Sequence, residues 1–213
     1  MTELTILIPV LARPHRVRPA IDSAIAWVPD AEVLFIADPD DTDELVELEA
    51  QGANWITVAG GYAEKIHEGV EQTTAPLIFT GADDLLFHPG WFDTAKARLG
   101  DGIEVVGVND LCSRRVMAGE HATHFLMTRE YAETPCLDSE PGPFSQAYHH
   151  WFCDDELVAT ARRRNAIVFE TDSIVEHLHP QVRKAPDDQT YRRGRENRWE
   201  DERTFKRRAH LWM

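Results

Sequence analysis

The sequence predicts an α/β domain with a doubly wound, mostly parallel sheet that is flanked by helices. Short apolar runs alternate with segments of helical periodicity through the first half of the chain, an order typical of parallel sheets. The first two runs are rich in β-branched residues and end abruptly at a proline or an acid. A length of 213 residues and a hydrophobic content of 43% suit one domain with a full core.

The elements of the first half follow in order from the amino terminus. Strands are predicted over residues 4–10, 32–38, 55–58 and 77–80. Helices are predicted over residues 16–27, from Asp41 to about residue 50, and after the Gly60-Gly61 pair. Asp41 and Glu44 have the spacing of a capping box, which indicates that the second helix begins there.

The second half of the chain is expected to continue the same domain less regularly. A helix is predicted over residues 91–99, a loop over 136–144, a helix within residues 145 to about 164, and strands over 103–108, 124–128, 166–169 and 174–177. No linker divides the chain convincingly. We therefore predict one domain over residues 1–182, with a basic loop and helix over residues 183–213 packed on it.

The net charge of −15 is unevenly distributed along the chain. Residues 183–208 contain ten Lys/Arg and six Asp/Glu, a balance of +4, so the remaining residues carry −19. An acidic body repels polyanions, so we expect neither nucleic acid nor a membrane as partner. The first apolar run lacks a basic leader and is too short to span a bilayer, and we expect a cytoplasmic protein. Three scattered cysteines without a CxxC pair predict neither a disulfide framework nor a cysteine zinc site.

Asp83 and Asp84 directly follow the fourth apolar run. Ligands of open α/β sheets bind beyond the carboxyl ends of the strands, where these side chains are expected. Neighbouring carboxylates repel each other and are costly to desolvate unless a cation offsets their charge. Capping of the next element would explain one acid but not both. We interpret the pair as a site for a metal ion and a diphosphate. Asp38 is similar: it ends the second strand, and Asp41 is better placed to cap the following helix.

Segments spread over most of the chain resemble the family 2-like glycosyltransferases of GT-A fold. They are residues 5–13 (TILIPVLAR), residues 35–38 (FIAD), residues 81–85 (GADDL) with Pro89-Gly90-Trp91, and residues 154–157 (DDEL) with Ala161-Arg162. The resemblance spans roughly residues 5–179. It implies a GT-A fold and an enzyme that transfers a sugar from a nucleotide-sugar donor to a hydroxyl acceptor, with inversion. It also implies Mn²⁺ or Mg²⁺ as cofactor.

The resemblance implies a role for each matching residue. The donor-binding positions are Pro9, Arg13, Asp38, Lys65 and Asp83. Lys184 and Tyr191, in the polar loop after the resembling segments, are added as donor-binding candidates because a segment that closes over a diphosphate is expected to carry a cation and an aromatic ring. Asp83 and His179 are the expected metal ligands and Asp154 the expected general base, with Asp84, His177 and Asp155 as alternatives. His177 and His179 are two residues apart, so on a strand both rings would face one cleft. Glycine occupies position 81, where the family's first motif acid is expected, so the site has one carboxylate fewer.

Other interpretations of single residues stay open beside these roles. For Lys65, its position on a helix by itself favours a solvated side chain, and we expect Asp84 to point away from the metal. His121 with His124, and His149 with His150, lack a third ligand at a usual spacing, so we expect no zinc site. Trp91 and Trp151 are candidates for a platform under the acceptor, although most tryptophans are expected in the core.

The expected donor is first of all a UDP-sugar, and the expected acceptor is a protein or a small glycan. A nucleotidyltransferase is an alternative, but residues 11–14 (LARP) lack the glycine- and lysine-rich loop that such an enzyme carries after its first strand. A non-catalytic nucleotide-sugar binder of the same fold is the second alternative, and Gly81 favours it.

Overall fold

The computed structural model describes residues 2–135 and 141–213, so residues 136–140 of the predicted loop lie outside the described part. Its strands are β1 (Leu4–Pro9), β2 (Glu32–Ala37), β3 (Asn54–Thr57), β4 (Leu77–Thr80), β5 (Leu85–Phe87), β6 (Val105–Asn109), β7 (Phe125–Thr128) and β8 (Ile167–His177). They form one sheet in the order β3-β2-β1-β4-β7-β6-β8-β5. The pairs β3–β2, β2–β1, β1–β4 and β6–β8 are parallel, and the other three are antiparallel. The predicted α/β class with a mostly parallel sheet is confirmed.

Helices connect the strands and cover both faces of the sheet. They are α1 (Val17–Ile25), α2 (Thr42–Ala50), α3 (Tyr62–Glu71), α4 (Trp91–Lys96), α5 (Arg114–Met117), α6 (Arg129–Glu133), α7 (Cys153–Arg163), α8 (Gln189–Glu196) and α9 (Arg198–Arg208). No helix among the described residues is long and apolar enough to cross a bilayer.

The strands β1, β2 and β4 are mainly apolar because both of their faces are covered, whereas the edge strand β3 exposes Asn54 and Thr57. Ile6 and Ile8 of β1 contribute to one core layer, which also contains Trp91, whereas Leu7 faces the other layer with Ile66 of α3. Side chains alternate between the two faces of a strand, so a doubly covered strand shows few polar positions. This pattern explains why the first four strands were predictable from sequence.

The carboxyl-terminal half departs from the prediction in its details. The two strands predicted over residues 166–169 and 174–177 are one strand, β8, with an irregularity that shifts its register against β6 after Glu170. α7 occupies Cys153–Arg163 of the span 145–164 that was expected to hold a helix, and it begins after Phe152, which has a positive φ of 69°. Two helices, α8 and α9, replace the single helix expected after residue 183.

Buried polar side chains of α9 contact the first turn of α7 and the loop that precedes it. Arg208 contacts both carboxylate oxygens of Glu156, at 2.8 and 2.9 Å, and Tyr148 donates a hydrogen bond to the same carboxylate. Asp201 accepts hydrogen bonds from the backbone N–H groups of residues 149, 150 and 151. These contacts fix the loop that leads into α7 and so position the first turn of that helix.

Candidate active site

The carboxyl ends of three neighbouring parallel strands meet at one edge of the sheet. The chain leaves β1 toward Arg13, β2 toward Asp38, and β4 toward Asp83 and Asp84. β1 lies between β2 and β4, so the charged residues that follow the three strands are close in space. This edge is where an open α/β sheet binds ligands.

Asp38 is paired with a lysine from α3. Lys65 Nζ lies 2.8 Å from Asp38 Oδ2 and donates to the Val10 carbonyl at 3.1 Å. Lys65 is only 4% exposed, so the expectation of a solvated helix lysine was wrong. A buried ammonium needs such partners to offset its lost hydration. The pair places a cation and a carboxylate together beside the first turn after β1, where Pro9 ends the strand.

Asp83 and Asp84 share one cation, the guanidinium of Arg13. Nη1 of Arg13 lies 2.9 Å from Asp83 Oδ1 and 3.6 Å from Asp84 Oδ2, and all three side chains are buried. Asp84 was expected to point away from a metal held by Asp83, but in the structure its carboxylate faces the same guanidinium as that of Asp83. Both carboxylates face the same position because a buried pair of acids is tolerated only around a shared positive charge.

Asp84 has further partners from the carboxyl-terminal part of the chain. His177 Nε2 donates to Asp84 Oδ2 at 3.1 Å, and the Tyr191 hydroxyl donates to the same oxygen at 2.7 Å. The other oxygen, Oδ1, is buried and has no hydrogen-bond partner among the described residues. A buried carboxylate oxygen without a partner is costly, and a divalent cation is the ligand that would satisfy it.

The environment separates the pKa values of the two acids. Burial raises the pKa of Asp83, and the Asp84 carboxylate raises it further, against the effect of Arg13. Burial also acts to raise the pKa of Asp84, but His177, Tyr191 and Arg13 outweigh it and hold that pKa well below its ordinary value. The pKa of His177 is raised, because the Asp84 carboxylate outweighs burial. These surroundings thus favour the charged form more strongly for Asp84 than for Asp83.

The late histidines lie on this edge, but they have different contacts. The rings of His177 and His179 are 5.0 Å apart, and only His177 is bonded to Asp84. Nδ1 of His179 accepts from the backbone N–H of Gln181 and caps the short helical turn after it. Burial lowers the pKa of His179 to about 4, and the charge of His177 adds to the effect. The geometry favours His177 as the histidine nearer to the acids.

Two of the expected donor-binding residues come from the segment after β8. Tyr191 belongs to the cluster of Arg13, Asp83, Asp84 and His177, with its ring centroid 3.9 Å from the guanidinium carbon of Arg13. Lys184 is paired instead with Glu176, at 2.7 Å, and donates to the Leu111 carbonyl.

Gly81 has a structural reason for replacing the expected acid. A Cβ at this position would lie 2.9 Å from the backbone oxygen of Leu7, closer than such atoms approach without a shift of the chain. The Gly81 N–H donates to that oxygen at 2.8 Å, and the Tyr62 hydroxyl donates to the Gly81 carbonyl. No side chain fits here, so the acids available on this turn are Asp83 and Asp84.

Asp154 and Asp155 lie in the first turn of α7 and have separate partners. His121 Nε2 lies 3.2 Å from Asp154 Oδ2, while Arg115 donates to Asp155 Oδ1 at 3.0 Å. His121 is buried, and its Nδ1 is 3.9 Å from Asp155 Oδ1. His121, Asp154 and Asp155 each offer one potential metal-ligand atom, and these three atoms lie within 4.8 Å of one another. Among residues 2–135 and 141–213, this is the only group of three or more such residues close enough to hold a metal ion. Sequence reasoning missed it because Asp154 is 33 residues from His121.

The Tyr62 hydroxyl lies at the turn that leads to Asp83 and Asp84, where it donates to the Gly81 carbonyl. Burial is the main cause that raises its pKa, and the carboxylates of Asp154 and Asp84 both contribute to the increase. Trp91, a suggested acceptor platform, is fully buried in the core, so that suggestion was wrong. Trp151 is half-buried, and its indole N–H donates to the Gly194 carbonyl of α8.

Comparisons with known proteins give no relative by sequence. No protein-family model matches the chain, and no curated protein matches it. Solved structures do match. A mannosyltransferase from Pyrobaculum calidifontis, solved with GDP-Man and Mn²⁺, has a TM-score of 0.68 over 97% of this chain and 64% of its own, at 13% identity.

A second similar structure is the glucosyl-3-phosphoglycerate synthase of Mycobacterium tuberculosis, solved with phosphoglyceric acid. It has a TM-score of 0.58 over 83% of this chain and 72% of its own, at 17% identity. The same enzyme, solved with Mn²⁺, UDP-glucose and phosphoglyceric acid, has a TM-score of 0.57 over 83% of this chain and 71% of its own, at 16% identity. At such low identities the likeness concerns the fold. The chain has the GT-A fold of these glycosyltransferases, as its strand-end motifs predicted.

Proposed function

We propose that this protein is a metal-dependent glycosyltransferase that moves a sugar from a nucleotide-sugar donor to a hydroxyl acceptor. The observation that carries the proposal is the pair of buried carboxylates after β4, Asp83 and Asp84, which face one cation position. The orphaned Oδ1 of Asp84 leaves a hard oxygen ligand for a second, divalent cation. The fold of the enzymes that bind Mn²⁺ with UDP-glucose or GDP-Man supports the same conclusion.

Mn²⁺ or Mg²⁺, when bound, would neutralise the charge that develops on the departing diphosphate. Asp83 and Asp84 would hold it, with His177 or His179 as the imidazole ligand, and mixed oxygen and nitrogen ligation suits Mn²⁺. The donor would lie across the ends of β1 and β2. There Asp38 can accept a hydrogen bond from the base or ribose, and Arg13, Lys65 and Tyr191 lie beside the diphosphate. Pro9 would form part of the wall of the donor site. Lys184 stays a candidate for donor binding, although its ammonium group is paired with Glu176.

Asp154 is the proposed general base. It is partly exposed in the first turn of α7, where it could take the proton of the acceptor hydroxyl as that oxygen attacks the anomeric carbon. A single displacement of this kind inverts the configuration of the sugar. Asp155 is the weaker candidate, because Arg115 already holds one of its oxygens. A UDP-sugar is our first choice of donor and GDP-mannose the second, and a protein or a small glycan is our proposed acceptor.

Binding of nucleotide-sugars tests this proposal directly. We expect UDP-glucose or GDP-mannose to raise the melting temperature only with Mn²⁺ present, since a ligand that binds the folded state stabilises it by mass action. The Asp83→Asn variant should lose most of this shift, because Asp84 alone holds the cation more weakly. The matched control is Asp93→Asn, an acid in the first turn of α4 away from this edge. An equal Mn²⁺-dependent shift in Asp83→Asn would refute the assignment.

A non-catalytic binder of nucleotide-sugars is the second candidate. It is favoured by Gly81, because the backbone there excludes the extra acid. Turnover separates the two candidates: an enzyme releases nucleoside diphosphate in the presence of acceptor and Mn²⁺, and a binder only retains the donor. The cytoplasmic location expected from the sequence stays a prediction, which fractionation of the producing cells would test.

A further inference from the structure

The guanidinium of Arg13 is engaged on several sides in this structure. Nε and Nη2 donate to the two carboxylate oxygens of Asp188, at 3.0 and 3.1 Å, while Nη1 donates to Asp83. The ring of Tyr191 lies against the guanidinium face at 3.9 Å. Arg13 is 4% exposed, so its contacts come from these residues rather than from solvent.

The contact with Asp188 has the geometry of anion recognition. Two parallel N–H groups of one guanidinium bind the two oxygens of one anion, an arrangement that arginine uses equally for carboxylates and phosphates. Asp188 is 175 residues from Arg13 in sequence, and its carboxylate enters the cluster from the start of α8. The carboxylate therefore occupies an anion site that the Arg13 guanidinium provides.

Asp188 and a diphosphate could not share this site. The cluster already contains the carboxylates of Asp83 and Asp84, so Arg13 is the cation that balances three acids. A phosphate oxygen brought to the same nitrogens would meet the Asp188 carboxylate at contact distance, where like charges repel strongly. Occupation by a diphosphate thus requires Asp188 to leave.

The helix that carries Asp188 is built to allow this movement. None of the residues of α8 is buried, so no core packing would be lost on displacement. Apart from the Tyr191 ring, which packs against His179 and Arg13, its contacts with the body are polar: Thr190 donates to the Leu11 carbonyl, and Tyr191 donates to Asp84. Trp151 donates to the Gly194 carbonyl at the far end of the helix. Segments held by few apolar contacts open at low free-energy cost.

We propose that Asp188 is an internal occupant of the phosphate site on Arg13, which a donor diphosphate must displace before it binds. This inference rests on the proposed function and adds its regulation: the carboxylate holds the site closed in the absence of donor. Loss of the competing charge should tighten the binding of diphosphates. Asp188 also caps α8 by accepting from the Tyr191 N–H, so the variants must keep that role.

Asp188→Asn and Asp188→Ser are the informative variants, because asparagine and serine are good N-caps without the charge. Serine is also too short to reach both guanidinium nitrogens. The control is Asp187→Asn, an exposed neighbour that pairs with Arg195. Binding of inorganic pyrophosphate, UDP-glucose and GDP-mannose, each with Mn²⁺, is measured by isothermal titration calorimetry on the full chain.

We expect both Asp188 variants to bind the diphosphates about tenfold more tightly than the wild type, the scale of one charged hydrogen-bond pair, and Asp187→Asn to match the wild type. Equal or weaker binding by both variants overturns the inference while leaving the proposed function in place. Tighter pyrophosphate binding without any nucleotide-sugar binding supports the inference and removes the proposed function. Failure of all proteins to bind pyrophosphate overturns the phosphate site itself.

Discussion

Asp154 and Asp155 are adjacent acids whose surroundings assign them different tasks. Arg115 neutralises Asp155, and burial followed by the Asp154 charge raises the pKa of Asp155. Among the described residues, His121 is the only hydrogen-bond partner of the Asp154 carboxylate. We predict that Asp154→Asn lowers turnover by about 10²–10⁴-fold, the usual contribution of a general base, and leaves donor affinity unchanged. Release of nucleoside diphosphate and calorimetric donor binding measure the two quantities.

Asp155→Asn gives the matching comparison on the neighbouring residue. Its turnover should fall less than that of Asp154→Asn, since Arg115 already occupies one carboxylate oxygen of Asp155. Normal turnover in Asp154→Asn together with a large loss in Asp155→Asn would move the base to Asp155. Loss of donor binding in Asp154→Asn would instead show that the first turn of α7 belongs to the donor site.

At the residue scale, the sequence predicted where the acidic residues lie on the sheet but not which side chains pair with them. Asp38 and Asp83 were predictable because an acid directly after a buried strand lies at the edge where ligands bind. The pairings of Asp38 with Lys65, of Asp154 with His121 and of Arg13 with Asp188 span 27, 33 and 175 residues. No local pattern encodes such distances, and only the fold brings these groups together.

At the element scale, local context decided which predictions failed. β5 has three residues and forms by pairing with the end of β8, so it has no sequence signal of its own. β8 looked like two strands because polar residues at its irregularity interrupt the apolar pattern. The helix expected within residues 145–164 begins at Cys153, after a loop that is ordered by α9, through Asp201, rather than by a capping sequence.

Asp201 should therefore control the stability of this junction. Its side chain is fully buried, and it accepts from the backbone N–H groups of His149, His150 and Trp151. In Asp201→Asn an N–H₂ group would replace one acceptor oxygen, so we predict a loss of about 2–3 kcal/mol in the free energy of unfolding. Urea unfolding at pH 7 measures this, and Glu202→Gln, an exposed change on the same helix, should leave the midpoint unchanged.

The pH dependence of this loss has a definite sign. Burial acts to raise the pKa of Asp201, but hydrogen bonds from the backbone of His149, Trp151 and His150 outweigh it and lower that pKa below 3.8. A lowered folded-state pKa contributes stability above the unfolded value and loses it as pH falls through the folded value. The gap between wild type and Asp201→Asn should be constant from pH 7 to about 5 and shrink below about pH 4. A gap that widens on acidification would contradict this account.

At the scale of the whole molecule, the basic carboxyl-terminal segment forms ion pairs with the acidic body. Residues 183–208 carry a balance of +4 against −19 for the rest, and several of their charged groups pair with the body. Arg208 pairs with Glu156 on α7, and Lys184 with Glu176 on β8. The segment also supplies Tyr191 to Asp84. The proposed boundary at residue 182 therefore separates regions that share both a core contact and the candidate site.

We predict that residues 1–182 do not fold stably without residues 183–213. Removal of the segment leaves Glu156 as a buried carboxylate without Arg208, and breaking a buried ion pair costs about 3–5 kcal/mol. It also leaves the loop before α7 without Asp201. Because the total stability of a domain is only about 5–15 kcal/mol, the fragment should melt about 10 °C or more below the full chain, or not cooperatively.

Thermal unfolding followed by circular dichroism measures this, with Arg208→Met in the full chain showing the share of the ion pair. A fragment that unfolds cooperatively at the full-length midpoint would make the carboxyl-terminal segment an independent addition, and its polar contacts with Arg13 and Asp84 would then matter for ligand binding alone.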